Sequence, residues 1–272
     1  MHRFYLPPDQ CRGPTLVLCG AEARHASRVL RVEPGERVAV LDGAGQEFQC
    51  EVAGPLREMQ RSDGRRDLPR VISRGQDKRT VQLRVLDKTI QPQPRCQFTL
   101  LQAIPKGKIL ESIIEKATEL GVQRIVPLLT ERVTMRLDDD SAAEKGAKWQ
   151  HVAVEAIKQC GAAWLPKVEA PRTLKEFLAR NESFDLALVG ALQGDARHPR
   201  EFLREFETEP GRRPRGVAMW IGPEGDFTLA ELQAIQGAGA KPITLGKLVL
   251  RVETAAIYCL SFLHYELQSP RD

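Results

Sequence analysis

From Phe98 onward the sequence alternates apolar runs of strand length with segments of helical length, and no other feature restricts the fold as much. The strand-like runs are FTLLQAI, RIVPLLT, DLALVG, GVAMWIG and PITLG. Between them lie the amphipathic KILESIIEKATELG, the helical EKGAKWQHVAVEAIKQC, the shorter TLKEFLAR and a charged segment running to residue 215. A last helix is expected from about Thr254 to Gln268. Helical segments between successive strands predict an α/β fold, a parallel sheet covered by helices on both faces.

Ligands of such sheets bind outside the carboxyl ends of the strands. Three expected strands run into glycine, at Gly190, Gly222 and Gly246, and their loops are candidates for one pocket. None reads Gly-x-Gly-x-x-Gly or Walker A, so a dinucleotide or nucleoside-triphosphate site has no support. In the middle loop, IGPEGDFTLAEL, Thr228 and Glu231 have the spacing of a helix capping box. Gly222 and Gly225 let main chain come close to a ligand, and Pro223 stiffens the turn between them. An ordinary strand-to-helix turn would look the same.

KTIQPQPRCQ, residues 88–97, breaks both helix and strand ladders and marks a boundary between domains at 1–88 and 95–272. The first part carries short strand-like runs, RFYLP, TLVLCG and TVQLRVLDK, with a hairpin expected in RVAVLDGAGQEFQCEV around Asp42, Gly43 and Gly45. It reads as a small, mainly β, barrel-like domain. Within EARHASRVLRV, Arg24, His25, Arg28 and Arg31 fall largely on one side of a short helix, where they could track phosphates or form a solvated face. Residues 1–85 hold 15 Lys plus Arg against 11 Asp plus Glu; the remaining 25 and 25 cancel, so all of the net +4 lies in the first third. A basic module on a neutral body suits a polyanion.

Six scattered cysteines with no Cys-x-x-Cys pair suggest reduced thiols and no metal site. No apolar run approaches the ~20 residues of a membrane span and the start lacks a signal-peptide core, so a cytoplasmic protein without a membrane partner is expected.

Four ordered blocks, LLQAIPKGKILESIIEKATELGVQRIVPLLTERV, KWQHVAVEAIKQCG, IGPEGDFTLAEL and LGKLVLRVETAAI, resemble the bacterial 16S ribosomal RNA uridine-N3 methyltransferases of the RsmE type, in the SPOUT superfamily. HASRVLRVEPGERVAVLDGAGQEF is similar to that family's PUA-like RNA-binding domain. The resemblance spans nearly the whole chain. It implies a C-terminal trefoil knot, S-adenosyl-L-methionine as cofactor, 16S ribosomal RNA of the small subunit as partner, and a homodimer through the largely apolar last helix. Two departures fall in the loops. Asp226 stands where the family usually has a second glycine, and Lys247, Leu248 and Val252 replace the more usual residues around the last strand-to-helix turn.

Methyl transfer to a uridine N3 needs a cradle for the methyl donor, a cation for the anion formed as the N3 proton leaves, and a proton acceptor. On the resemblance, the cradle is the main chain of Leu188, Val189 and Gly190, of Ile221, Gly222, Pro223, Glu224 and Gly225, and of the whole segment from Leu245 and Gly246 through Val249 to Leu250, with Thr254 and Ala255 beyond. The cation is Arg251; Glu224, Glu253 and bulk water compete as acceptor. RNA contacts are assigned to Arg24, His25, Arg28 and Arg31, joined by Lys106, Lys108, Arg132 and Arg136. The rival readings are a non-catalytic ribosome-assembly factor, against which the Arg251–Thr254 block argues, and a methyltransferase of another RNA.

Overall fold

The computed structural model describes residues 1–53, 57–58, 79–135, 138–191, 196–207 and 213–268. The chain divides into two compact units, Met1–Pro92 with Gly161–Trp164, and Gln93–Cys160 with Leu165–Asp272.

The first unit is a curled sheet like that of a PUA-type barrel. Its strands are β1 (His2–Tyr5), β2 (Thr15–Leu18), β3 (Arg37–Leu41), β4 (Gln46–Val52), β5 (Arg57–Glu58) and β6 (Arg79–Ile90), in the order β1-β3-β4-β6-β2 with β5 beside β6. All pairings are antiparallel except β1 with β3. Alternate residues of β1, β2, β3, β4 and β6 fill one core, among them Phe4, Leu16, Leu18, Val38, Val40, Phe48, Cys50, Val81 and Leu83. The β3–β4 turn is held by buried Asp42, whose Oδ1 accepts from the amides of Ala44 at 2.7 Å and Gln46 at 2.9 Å. Gly45 has φ 95°, and a Cβ there would stand 2.5 Å from the Trp164 ring, so the residue can only be glycine. A linear reading could not place residues 161–164 in this unit, because they come from between two elements of the other.

The expected basic helix is not one helix. α1 (Gly20–Arg24) gives way to a π-helical turn over His25–Leu30, which Arg31 ends with φ 53°. Ala23 and Ala26 face the core, while Arg24, Arg28 and Arg31 are exposed.

The second unit has a seven-stranded sheet: β7 (Gln97–Ala103), β8 (Arg124–Leu129), β9 (Lys167–Val168), β10 (Arg172–Thr173), β11 (Leu186–Gly190), β12 (Gly216–Ile221) and β13 (Lys241–Ile243). The order is β10-β8-β7-β12-β11-β13, with β9 also on β8, and every pairing is parallel. The two-residue period sends Val217, Met219 and Ile221 into one core and Ala218 and Trp220 into another. The first core is closed by α2 (Ile109–Glu119), α3 (Asp139–Cys160), α5 (Pro199–Glu207) and α7 (Val252–Leu267); the second by α4 (Leu174–Leu178) and α6 (Leu229–Gly237). Both faces are thus covered, as near-continuous apolar strands require.

α5 lies inside the stretch that reads only as charged. It carries just Phe202, Leu203 and Phe206 among acidic and basic residues, too few apolar positions for a periodic signal. α7 begins at Val252, and it is not buried on every side, since Tyr258 and Tyr265 are exposed. At the amino ends of the strands, Arg124 binds Glu169 at 2.7 Å and Glu182 at 2.5 Å, and Arg172 and Arg180 also bind Glu169. Burial alone would raise the Glu169 carboxyl, but the three guanidiniums outweigh it and hold it below its ordinary value. No helix among the described residues is long and apolar enough to cross a membrane.

Candidate active site

A cavity of about 530 Å³ opens at the carboxyl ends of β11 and β12 and along the segment that follows β13. That volume falls in the roughly 300–1,000 Å³ range of small-ligand sites. Gly190, Gly222 and Gly246, the three glycines that end strand-like runs, all line it. A Cβ on Gly190 would project between cavity side chains, 3.6 Å from both Ile221 Cδ1 and Leu245 Cδ1, so glycine keeps that space clear. Gly246 has φ 110°, and no atom lies within 4 Å of where its Cβ would stand.

Of the other expected cradle residues, Ile221, Pro223, Glu224, Leu245, Val249, Leu250 and Ala255 also face the cavity. Leu188 and Val189 do not: both are buried within β11, one in each core of the sheet. Gly225 and Thr254 adjoin the wall without forming it. Lys247 and Leu248, inside the expected Leu245–Leu250 segment, line the cavity too; sequence reasoning missed Ala191, Asp226, Thr244 and Val252, which are neighbours of expected residues, and Ile109, which α2 brings from far away in the chain. Apolar side chains and main chain thus make most of the wall, with Arg251, Glu253, Glu224, Asp226 and Lys247 as its charged groups.

Two amides of the loop from Gly222 to Thr228 find acceptors within the loop. The Asp226 amide donates to the Pro223 carbonyl at 2.9 Å, closing a turn. Asp226 itself has φ 63°, a left-handed conformation that glycine adopts without cost. Aspartate is tolerated here because its Oδ1 accepts from the Phe227 amide at 2.8 Å, a local bond of the kind that lets Asp enter this region. Gly222 is needed for space, since a Cβ on it would meet Asp226 Oδ1 at 2.8 Å. The Thr228–Glu231 capping box is formed in both directions and opens α6.

The neighbouring strand ends clasp this loop from the side. The Lys106 amide, after β7, donates to Glu224 Oε1 at 2.8 Å. After β8, the Glu131 amide donates to Glu231 Oε1 at 2.8 Å, and Arg132 Nη1 donates to the carbonyls of Gly225 and, at 3.4 Å, Phe227.

Arg251 is the N-cap residue of α7, and its side chain is exposed at the cavity wall. Among the described residues its guanidinium has neither a hydrogen bond nor an ion pair, and the same holds for the Glu253 carboxylate in the first turn of α7. The two do not pair with each other. Lys106 and Lys108 are exposed in the turn after β7. In the first unit, His25 is half-buried and stacks edge-on against Phe4, with ring centres 6.3 Å apart. Arg136 lies outside the described residues.

Residues 91–264 match the RNA methyltransferase domain family, and residues 18–55 match the RNA methyltransferase PUA domain. The ribosomal RNA small subunit methyltransferase E of Synechocystis is 29% identical over 269 residues, which cover 98% of this chain and 78% of that protein. Its Bacillus subtilis counterpart is 27% identical over 94% of this chain and 91% of its own. Among solved structures, a putative methyltransferase of Legionella pneumophila in complex with the cofactor SAM has a TM-score of 0.77 and 30% identity, covering 97% of both chains. A ribosomal RNA small subunit methyltransferase E of Neisseria gonorrhoeae bound to S-adenosyl methionine has a TM-score of 0.74 and 27% identity over 98% of both chains.

Proposed function

This chain belongs to the RNA methyltransferase family, and on that premise we propose that it methylates 16S ribosomal RNA of the small subunit, using S-adenosylmethionine, at N3 of a uridine. One observation carries the reading: three glycine-ended loops meet around a single cavity, with an uncommitted guanidinium, that of Arg251, at its wall.

The residues present fit the cofactor. Main chain at Gly190, Ile221–Glu224 and Leu245–Leu250 offers polar groups around an apolar floor, and Gly190 leaves open the space a side chain would fill. When bound, the cofactor supplies an electrophilic methyl group on a sulfonium. The chain's own residues have the other tasks. Arg251 stays charged at any working pH and can hydrogen-bond a carbonyl oxygen beside N3, favouring loss of the N3 proton. The amino end of α7 adds partial positive charge to the same place. Glu253 is the acceptor we favour over Glu224, because one Glu224 oxygen is already spent on the Lys106 amide.

The same reading gives the basic turn of the first unit, with Arg24, Arg28 and Arg31 exposed, the task of holding RNA phosphates, and Lys106 and Lys108 a like role in the second unit. It places the protein in the cytoplasm with its substrate. It also includes a homodimer through α7, supported by the exposed rings of Tyr258 and Tyr265 on that helix. The trefoil knot belongs to this reading too. Its support is that the chain leaves the sheet at the edge strand β13, and α7 then packs back on β12 and α2.

The test is to incubate the protein with unmodified small ribosomal subunits and methyl-labelled cofactor, then to map the label by mass spectrometry. Label on N3 of one uridine in 16S RNA is the expected result. Label on another atom or another RNA rejects the substrate, and binding without transfer would make the protein a non-catalytic assembly factor.

A further inference from the structure

We propose that Arg132 is a positioning residue for the cofactor loop and not a contact for RNA phosphate. The proposal rests on the reading that the cavity beside this loop takes S-adenosylmethionine.

Arg132 follows the buried strand β8, in a segment that by sequence alone looks like a free basic patch. In the fold its guanidinium turns back on main chain. Nη1 donates to the carbonyls of Gly225 and Phe227, which flank the left-handed residue Asp226. A cation bound to both carbonyls fixes the peptide group that enters the least favourable backbone conformation in the loop and the one that leaves the next residue, Phe227.

Gly225 gives an independent sign of the same role. A Cβ on it would lie 3.1 Å from Arg132 Cδ and 3.8 Å from Arg132 Cβ, so the glycine makes room for the arginine stem. Gly225 is not a wall of the cavity. Its place in the Gly-Pro-Glu-Gly sequence is therefore explained by Arg132, where the sequence alone suggested a ligand. The base of the arginine is also fixed to the same element. The amide of the preceding residue, Glu131, donates to buried Glu231, the capping-box partner of Thr228. A phosphate that drew Arg132 away would leave both carbonyls without this donor.

The consequence concerns the wall of the cavity. Gly222, Pro223, Glu224 and Asp226 face it, and their placement depends on the peptide groups that Arg132 holds. Removing the guanidinium should loosen these residues and weaken cofactor binding by about 10- to 100-fold, the range for loss of a charge-assisted hydrogen bond. It should leave RNA affinity unchanged.

The experiment compares the full-length parent with Arg132→Ala and Arg132→Lys by three measurements. These are calorimetric binding of S-adenosylmethionine, binding of small-subunit RNA across a salt series, and amide hydrogen exchange over residues 222–228 of the cofactor-free protein. Arg132→Ala should bind cofactor weakly, exchange faster in that loop, and keep the parental RNA affinity and salt slope. Arg132→Lys should recover little, because an ammonium lacks the planar fork even though it keeps the charge that a phosphate contact would need. Unchanged cofactor affinity and loop exchange in Arg132→Ala would overturn the proposal, and so would full rescue by Arg132→Lys. If the parent itself takes up no cofactor, the functional reading fails, while the exchange measurement still decides the role of Arg132.

Discussion

The Glu224 carboxylate accepts a hydrogen bond from the Lys106 main-chain amide at 2.8 Å, joining the loop after β12 to the loop after β7. A glutamine can accept the same bond but cannot take a proton at neutral pH. Glu224→Gln is therefore expected to keep turnover within about tenfold of the parent, whereas Glu224→Ala, which leaves the amide unpaired, loses about 10- to 100-fold. Single-turnover methylation assays decide between the roles; a dead Glu224→Gln variant would make this residue the proton acceptor.

Among the described residues, the Arg251 guanidinium at the cavity wall has no hydrogen-bond or ion-pair partner. Loss of one donor to a developing anion costs about 100- to 1,000-fold in turnover. Arg251→Ala should fall by that amount and Arg251→Lys nearly as far, with cofactor affinity and melting temperature preserved. Part of the Arg251→Ala rate should return as pH rises, because free uridine then deprotonates unaided. A defect independent of pH would point to a misplaced base instead.

Asp226 combines φ 63° with a bond from its carboxylate to the Phe227 amide. Asp226→Ala keeps the unfavourable conformation and loses the bond, and is expected to cost about 1–2 kcal/mol in denaturant unfolding. Asp226→Gly removes both terms and should stay within about 1 kcal/mol of the parent. Equal stability of the two variants would contradict this account of how aspartate replaces glycine in the loop.

Acid should weaken the second unit through Glu169 and Glu182. Hydrogen bonding to Arg124 holds Glu182 below the ordinary carboxylate range, and three guanidiniums hold Glu169 below it. Folded values below the unfolded ones mean that this stabilisation is complete above about pH 4.3 and fades as pH falls through the depressed folded values. Glu169→Gln leaves Arg124 and Arg172 partly uncompensated and should cost about 3 kcal/mol at neutral pH. It should also flatten the loss of stability in acid, as thermal melts at pH 7 and in the carboxylate range would show. The site lies at the other ends of the strands, so cofactor affinity should hold.

Tyr258 is 48% exposed and Tyr265 70% exposed, one on each of two successive pairs of turns of α7. If a second copy covers this face, light scattering at micromolar concentration should give twice the chain mass. Tyr258→Glu with Tyr265→Glu should then give a folded monomer. A parent that is already monomeric rejects the dimer.

The parallel sheet was legible because β7, β8, β11, β12 and β13 come from mainly apolar runs, each followed by its own helix or turn; β9 (Lys167–Val168) and β10 (Arg172–Thr173), two residues each, carry no such run and were not read. The three glycine-ended loops were legible for the same reason: each ends such a run. Arg132 was not. Nothing in TERV distinguishes a guanidinium facing phosphate from one bound to carbonyls of Gly225 and Phe227, since those partners are some ninety residues away in sequence. Ile109 was hidden likewise, because its place at the cavity follows from how α2 packs. The exposed face of α7 was masked by composition, since tyrosine counts as apolar in a periodicity argument and yet can keep its ring in water.

Trp164 has a consequence for the order in which the protein is made. The indole sits over Gly45 and donates to the Gln91 and Pro92 carbonyls, so it completes a sheet whose strands all precede it in the chain. A fragment ending at Pro92 would carry every strand of that unit without its lid. During synthesis at about 5–20 residues per second, the amino-terminal sheet must wait on the order of ten seconds for the tryptophan to emerge. For that interval the nascent unit is an unfinished structure, open to whatever accompanies the growing chain.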